Sequence, residues 1–173
     1  MDHRQLLTDA ARRPLDTAEV VLEGISNETL HALPSDRGNS IAWLIWHAAR
    51  QMDVQLADLN HEDQVWITGD WAEKLGVDRG PDSFGFGDDR EAVASLEVKD
   101  PEALREYLGA VVRSLSAYIR QLSGPGLDAI VDRDWDPPTS RGVRIVSIID
   151  DATVHLGQAA YARGILEDWS VGY

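Results

Sequence analysis

The sequence predicts an all-α protein, a four-helix bundle with crossover connections. Four long segments repeat apolar residues at helical spacing, and no stretch sustains the alternation of a half-buried strand. The connectors between the long segments are longer than those that join neighbouring helices in a simple up-and-down bundle.

The first helix spans about Arg4 to Glu23, with Leu6, Leu7, Ala10, Ala11, Leu15, Ala18, Val21 and Leu22 as its apolar positions. Pro14 interrupts this run, so the expectation is a kink there or a late start with Pro14 in the first turn. Gly24 fits the stop. His3, ahead of the apolar run, is expected in a frayed terminus. Residues 26–38 read as a connector in which Ser26 or Asn27 caps one short turn.

Ser40 suits the N-cap of the second helix, Ile41 to about Leu59. Ile41, Leu44, Ile45, Ala48, Met52 and Leu56 form one face. Trp43, Trp46 and Val54 carry apolar character almost all round, which implies deep burial. Residues 60–90 hold no lasting period and are dense in Gly and Asp, while Trp66, Trp71, Phe84 and Phe86 favour order. The expectation is a segment folded over one end of the bundle that helps wall a pocket. A packed surface loop without a role is the plainer alternative.

Glu91–Val98 suits a short helix. Asp100-Pro101 starts the third long helix, which runs to about Leu122 and ends at Ser123-Gly124-Pro125-Gly126. Residues 127–142 form either a small extended piece or a crossover, and the fourth helix follows from about Val143 to Glu167. Without a repeat or a low-complexity tract, residues 1–173 read as a single domain.

The formal net charge is −14. That excess argues against non-specific nucleic-acid binding and against docking on anionic lipid, both of which need clustered cations. No apolar run is long enough to span a bilayer, and the first residues lack the apolar core of a signal peptide. A cytoplasmic protein is the expectation. The chain has no cysteine, which excludes disulfides, thiolate ligands and a cysteine nucleophile.

The chemistry converges on Ile145–Gly164. Asp151 and His155 lie four apart at the edge of its apolar face, so their side chains stack one turn above the other. A carboxylate and an imidazole so placed need partners, and a divalent metal would satisfy both. Asp150 points about 100° away and belongs to the surface. Of the histidines, only His47 and His155 sit inside strongly apolar helices, whereas His31 lies in a connector and His61 closes the second helix. Spacing leaves His47 either a hydrogen-bonded core residue or a ligand. With Asp151 and His155 it would make a set of two imidazoles and one carboxylate, suited to Zn²⁺, Fe²⁺ or Ni²⁺ rather than Mg²⁺ or Ca²⁺.

The segments SIAWLIWHAARQMDVQL and IDDATVHLGQAAYARGIL resemble the two signature segments of the DinB-like (YfiT-like) superfamily, in order and over nearly the whole chain. The loop text VWITGDWAEKLGV and DSFGFG resembles an actinobacterial branch related to mycothiol-dependent transferases and the mycothiol-dependent maleylpyruvate isomerase. The resemblance implies a four-helix bundle whose metal is held by His47, Asp151 and His155, the last followed by Leu156-Gly157-Gln158 as the H-x-G-Q/H pattern of the family requires. Many members have histidine at the position of Asp151, and the mycothiol branch often has glutamate. The shorter aspartate leaves direct coordination and coordination through a water both open.

The function so implied is transfer of a low-molecular-weight thiol of the mycothiol type to small electrophiles, with zinc the first choice of metal and nickel or iron the alternatives. A non-catalytic metal- or ligand-binding stress-associated bundle and a metal-dependent hydrolase are the competing readings. A homodimer is expected from the nearly all-round apolar second helix, which could equally be buried within one subunit.

Overall fold

The computed structural model describes residues 1–172. Helix α1 (His3–Leu22) leads through the short α2 (Asn27–His31) and a 3-10 turn at Pro34–Asp36 to α3 (Ile41–Asn60). Three single-turn helices follow, α4 (Val65–Thr68), α5 (Trp71–Leu75) and α6 (Arg90–Ala94). The long helix α7 (Pro101–Gln121) and the single turn α8 (Gly124–Leu127) precede a small antiparallel pair, β1 (Ile130–Asp132) with β2 (Thr139–Ser140). Helix α9 (Arg141–Glu167) is the longest, about 40 Å at 1.5 Å per residue.

Each long helix begins on a side-chain cap. Asp2 accepts from the Gln5 amide and Gln5 returns a bond to the Asp2 amide, a reciprocal capping box. His3 is therefore the first residue of an ordered helix rather than part of a frayed end, and α1 passes through Pro14 without a late start. Ser40, Asp100 and Ser140 cap α3, α7 and α9 through the amides of Trp43, Glu102 and Val143.

Helices α1 and α3 each pack on both α7 and α9. They lie on one diagonal of the bundle, with α7 and α9 on the other. The links from α1 to α3 and from α7 to α9 must therefore cross the bundle ends, which is the crossover architecture the long connectors imply. On the seam between α3 and α9, Gln51 donates to the Ile148 carbonyl at 3.1 Å while Leu44 shares a groove with Gln158. Numbers rise along one helix as they fall along the other, so the two are antiparallel there.

Every residue of α3 from Ile41 to Asp53 is buried. Two neighbouring helices cannot enclose a third on all sides. The remaining cover comes from α2 and from the 61–89 segment, whose Trp66 and Trp71 sink beside Tyr107 of α7. The apolar circumference of α3 from Ile41 to Asp53 is thus covered within one subunit. The 61–89 segment is less irregular than its sequence implies, since it holds α4 and α5. Its aromatic residues divide, with Trp66 and Trp71 buried and Phe86 86% exposed.

The short helix expected at Glu91–Val98 is limited to α6, and Leu96 and Val98 are buried just beyond it. No helix among the described residues is long and apolar enough to cross a membrane.

Candidate metal centre

The core of a bundle admits polar side chains only where they meet, because an unpaired buried polar group costs free energy comparable to a lost hydrogen bond. His47 on α3 meets Asp151 and His155 on α9 in this way. One ligand atom from each lies within 4.8 Å of the other two. All three residues singled out from the sequence are brought together, and Asp150, exposed on the next side of α9, is not among them.

His47 is buried, whereas Asp151 and His155 are partly exposed, so the group is anchored in the core and open toward solvent on the α9 side. The His47 ring stacks on Trp43 with centroids 4.6 Å apart and planes inclined by 13°. His155 stands edge-on to His47 at 4.6 Å.

The outer nitrogen of each imidazole is already engaged. Nδ1 of His47 donates to the Phe84 carbonyl at 2.5 Å, and Nδ1 of His155 lies 3.2 Å from Oε1 of Gln158. The bond to the Phe84 carbonyl fixes the His47 tautomer that leaves its Nε2 bare, which is how ligating histidines are held when a metal is bound. Nε2 of His155 is 3.5 Å from Oδ1 of Asp151. Two imidazole nitrogens and a carboxylate oxygen fit a divalent ion with borderline preference and leave coordination positions free.

The electrostatics set the two imidazoles apart. Burial pushes the His47 imidazole below its ordinary range, favouring the neutral form that a ligand must have. The hydrogen bond between His155 and Asp151 pulls the carboxyl down and raises the imidazole. A proton shared on the pair thus stands where an ion would stand, and an ion would displace it.

The other histidines have separate duties. His31 Nε2 accepts from the Val98 amide at 2.9 Å and its Nδ1 pairs with the Asn27 carbonyl, which ties the segment after α6 to α2. His3 lies against the Leu122 carbonyl. His61 ends α3 in the left-handed region, fourteen residues beyond His47 and roughly 21 Å along the helix.

A groove of about 250 Å³ lies farther along the α3–α9 seam with Leu44, Gln158, Tyr161, Ala162 and Ile165 in its lining, and none of the three candidate ligands lines it. Gln158 belongs to the H-x-G-Q pattern, and the structure gives it a task as the partner of His155. Phe84 was not visible as a functional residue, because it acts through its backbone carbonyl. Arg50 was overlooked as well. An arginine in the middle of an otherwise apolar helix was the available signal.

The model of the DinB superfamily matches residues 10–159. A crystal structure described as the conserved protein of locus from Enterococcus faecalis is similar over 98% of this chain and 99% of its own, with 32% sequence identity and a TM-score of 0.90. No curated protein matches the chain. The family match spans most of the sequence, and the neighbour repeats the fold from end to end. The chain belongs to the DinB superfamily.

Proposed function

We propose that this protein is a metal-dependent enzyme that joins a low-molecular-weight thiol of the mycothiol type to small electrophiles. The observation that carries the reading is the convergence of His47, Asp151 and His155, with Nε2 of His47 bare and Nε2 of His155 facing the Asp151 carboxylate. His47 and His155 would hold the ion through Nε2 and Asp151 through a carboxylate oxygen. A divalent ion held there, Zn²⁺ first and Fe²⁺ or Ni²⁺ next, supplies a Lewis acid that lowers the pKa of a thiol brought to it.

The chain's own residues do the rest. Trp43 and the Phe84 carbonyl keep His47 from turning, and Trp43 shields one face of its ring from water. Asp151 contributes the negative charge that balances part of the cation. The chain has no cysteine, so the sulfur must come from a second molecule. In the reaction the thiol gives its proton to solvent water and the thiolate forms a new S–C bond. With a halide-bearing electrophile the halide leaves, and with an enoyl diacid the double bond opens, rotates and re-forms as the thiol departs.

The test is a conjugation assay with zinc-loaded protein, mycothiol or N-acetylcysteine, and a chromogenic chloronitrobenzene. Turnover by the wild type and by His61→Ala, with loss in His155→Ala, is the expected result. A protein that binds zinc yet turns over no thiol would instead be a non-catalytic binding member of the family.

A further inference from the structure

We propose that Arg50 is a positioning residue for the candidate metal centre, acting through the backbone strap 81–88 to fix the tautomer and orientation of His47. The inference rests on the metal-centre reading and adds to it a residue that touches none of the three ligand side chains.

Arg50 is fully buried on α3, one turn beyond His47. Its guanidinium spends its donors in two directions. Nη2 donates to the Pro81 carbonyl at 2.6 Å and Nε to the Ser83 carbonyl at 3.2 Å. Nη1 reaches Asp53, Gln64 and Tyr107, and the whole group lies 4.6 Å over the Trp66 ring. The carbonyls of Pro81 and Ser83 bracket the turn just before Phe84, and the Phe84 carbonyl receives Nδ1 of His47 at 2.5 Å. The planar fork holds the two carbonyls from two separate nitrogens in a fixed geometry, whereas an ammonium would have to reach both from one.

The strap is shaped to come this close. Gly85 has φ +93, and a Cβ there would stand 2.7 Å from His47 Nδ1 and about 3 Å from the rings of Trp43 and Trp46. Any larger residue would lift the strap from the imidazole. The far end is tied as well, since Trp43 Nε1 donates to Asp88 at 2.9 Å and Asp88 pairs with Arg79 at 3.3 Å. Arg50 anchors the near end, Asp88 the far end, and the carbonyl between them holds Nδ1 protonated and Nε2 bare.

The test uses the full chain with Arg50→Lys, which keeps a cation beside Asp53, and Tyr107→Phe, which removes a bond of the same buried network away from the strap. Nitrogen-15 chemical shifts of His47 in the metal-free protein read the tautomer, and competition with a chromophoric chelator reads the Zn²⁺ dissociation constant. The expected result is a single Nδ1-protonated His47 in wild type and Tyr107→Phe. In Arg50→Lys a mixture of tautomers and a dissociation constant raised about tenfold are expected. Should Arg50→Lys fail to fold, Gly85→Ala displaces the strap directly and carries the same expectation. An unchanged tautomer in a folded Arg50→Lys or Gly85→Ala would overturn the assignment, as would an equal loss in Tyr107→Phe. The tautomer is read without metal, so wild type that binds no zinc would refute the metal centre and leave the positioning role to be decided by the nitrogen shifts.

Discussion

His47 and His155 meet edge to face with ring centroids 4.6 Å apart, from antiparallel helices that each contribute one strand of the same polar seam. Oxygen partners occupy both Nδ1 atoms, the Phe84 carbonyl on one side and Gln158 on the other. The consequence is a bare Nε2 on His47 and an Nε2 on His155 that stands 3.5 Å from Oδ1 of Asp151.

Gln158→Leu should weaken zinc binding about tenfold while leaving the melting temperature of the metal-free protein nearly unchanged. The side chain is exposed and its recorded role is to hold His155. Chelator competition measures the first quantity and differential scanning fluorimetry with a chelator present measures the second.

Arg163→Ala should destabilise the fold by about 3 kcal/mol, seen as a lower urea midpoint. The last carbonyls of a helix have no partner within it. Arg163 of α9 supplies one from outside, with Nη1 donating to the carbonyls of Val21 at 2.8 Å and Glu23 at 2.9 Å while Nε pairs with Glu167 at 2.9 Å. Arg163→Lys should recover only a minor part, because an ammonium lacks the fork.

The third prediction concerns Asp53, which accepts from the amides of Val65 and Trp66 at 2.8 and 2.7 Å and from the Tyr107 hydroxyl at 2.8 Å. Asp53→Asn turns an NH₂ toward that ring of donors and should cost about 2 kcal/mol or more at neutral pH. Burial outweighs these bonds and raises the carboxyl above its ordinary range. The folded state therefore holds the proton more tightly than the unfolded chain does. The stability this contributes is fully present below the unfolded value near 3.8 and is lost as pH rises through the raised folded value. The advantage of wild type over Asp53→Asn should accordingly be larger near roughly pH 3 than near pH 7. Urea titrations of both proteins at several pH values decide it, and an advantage that grows with pH would contradict it.

What the sequence disclosed and what it withheld divide along the range of the interactions. Ser40 and Asp100 cap helices through amides two or three residues away, and such caps can be read from local text. In the candidate group, Asp151 and His155 were legible as a pair one helical turn apart, while spacing left His47 open between core residue and ligand and the family resemblance joined it to them. Of the two readings of Pro14, a kink or a late start, the late start is excluded because α1 begins at His3 and carries Pro14 inside it. Arg50, Arg163 and the Phe84 carbonyl act across separations of 31 to 142 residues or through the backbone. No periodicity reports such contacts. The cover over α3 shows the same limit: its apolar circumference was plain, but whether loop or partner enclosed it was not.

The most direct test of the central claim is the metal content of protein purified without an affinity tag or chelator, measured by elemental mass spectrometry beside Asp151→Ala and His155→Ala. Near-stoichiometric metal in the wild type, lost in both variants, is the result expected of a centre built on His47, Asp151 and His155. A wild-type protein that holds no metal after addition of Zn²⁺, Fe²⁺ or Ni²⁺ would contradict the account and leave the three side chains as a hydrogen-bonded feature of the core.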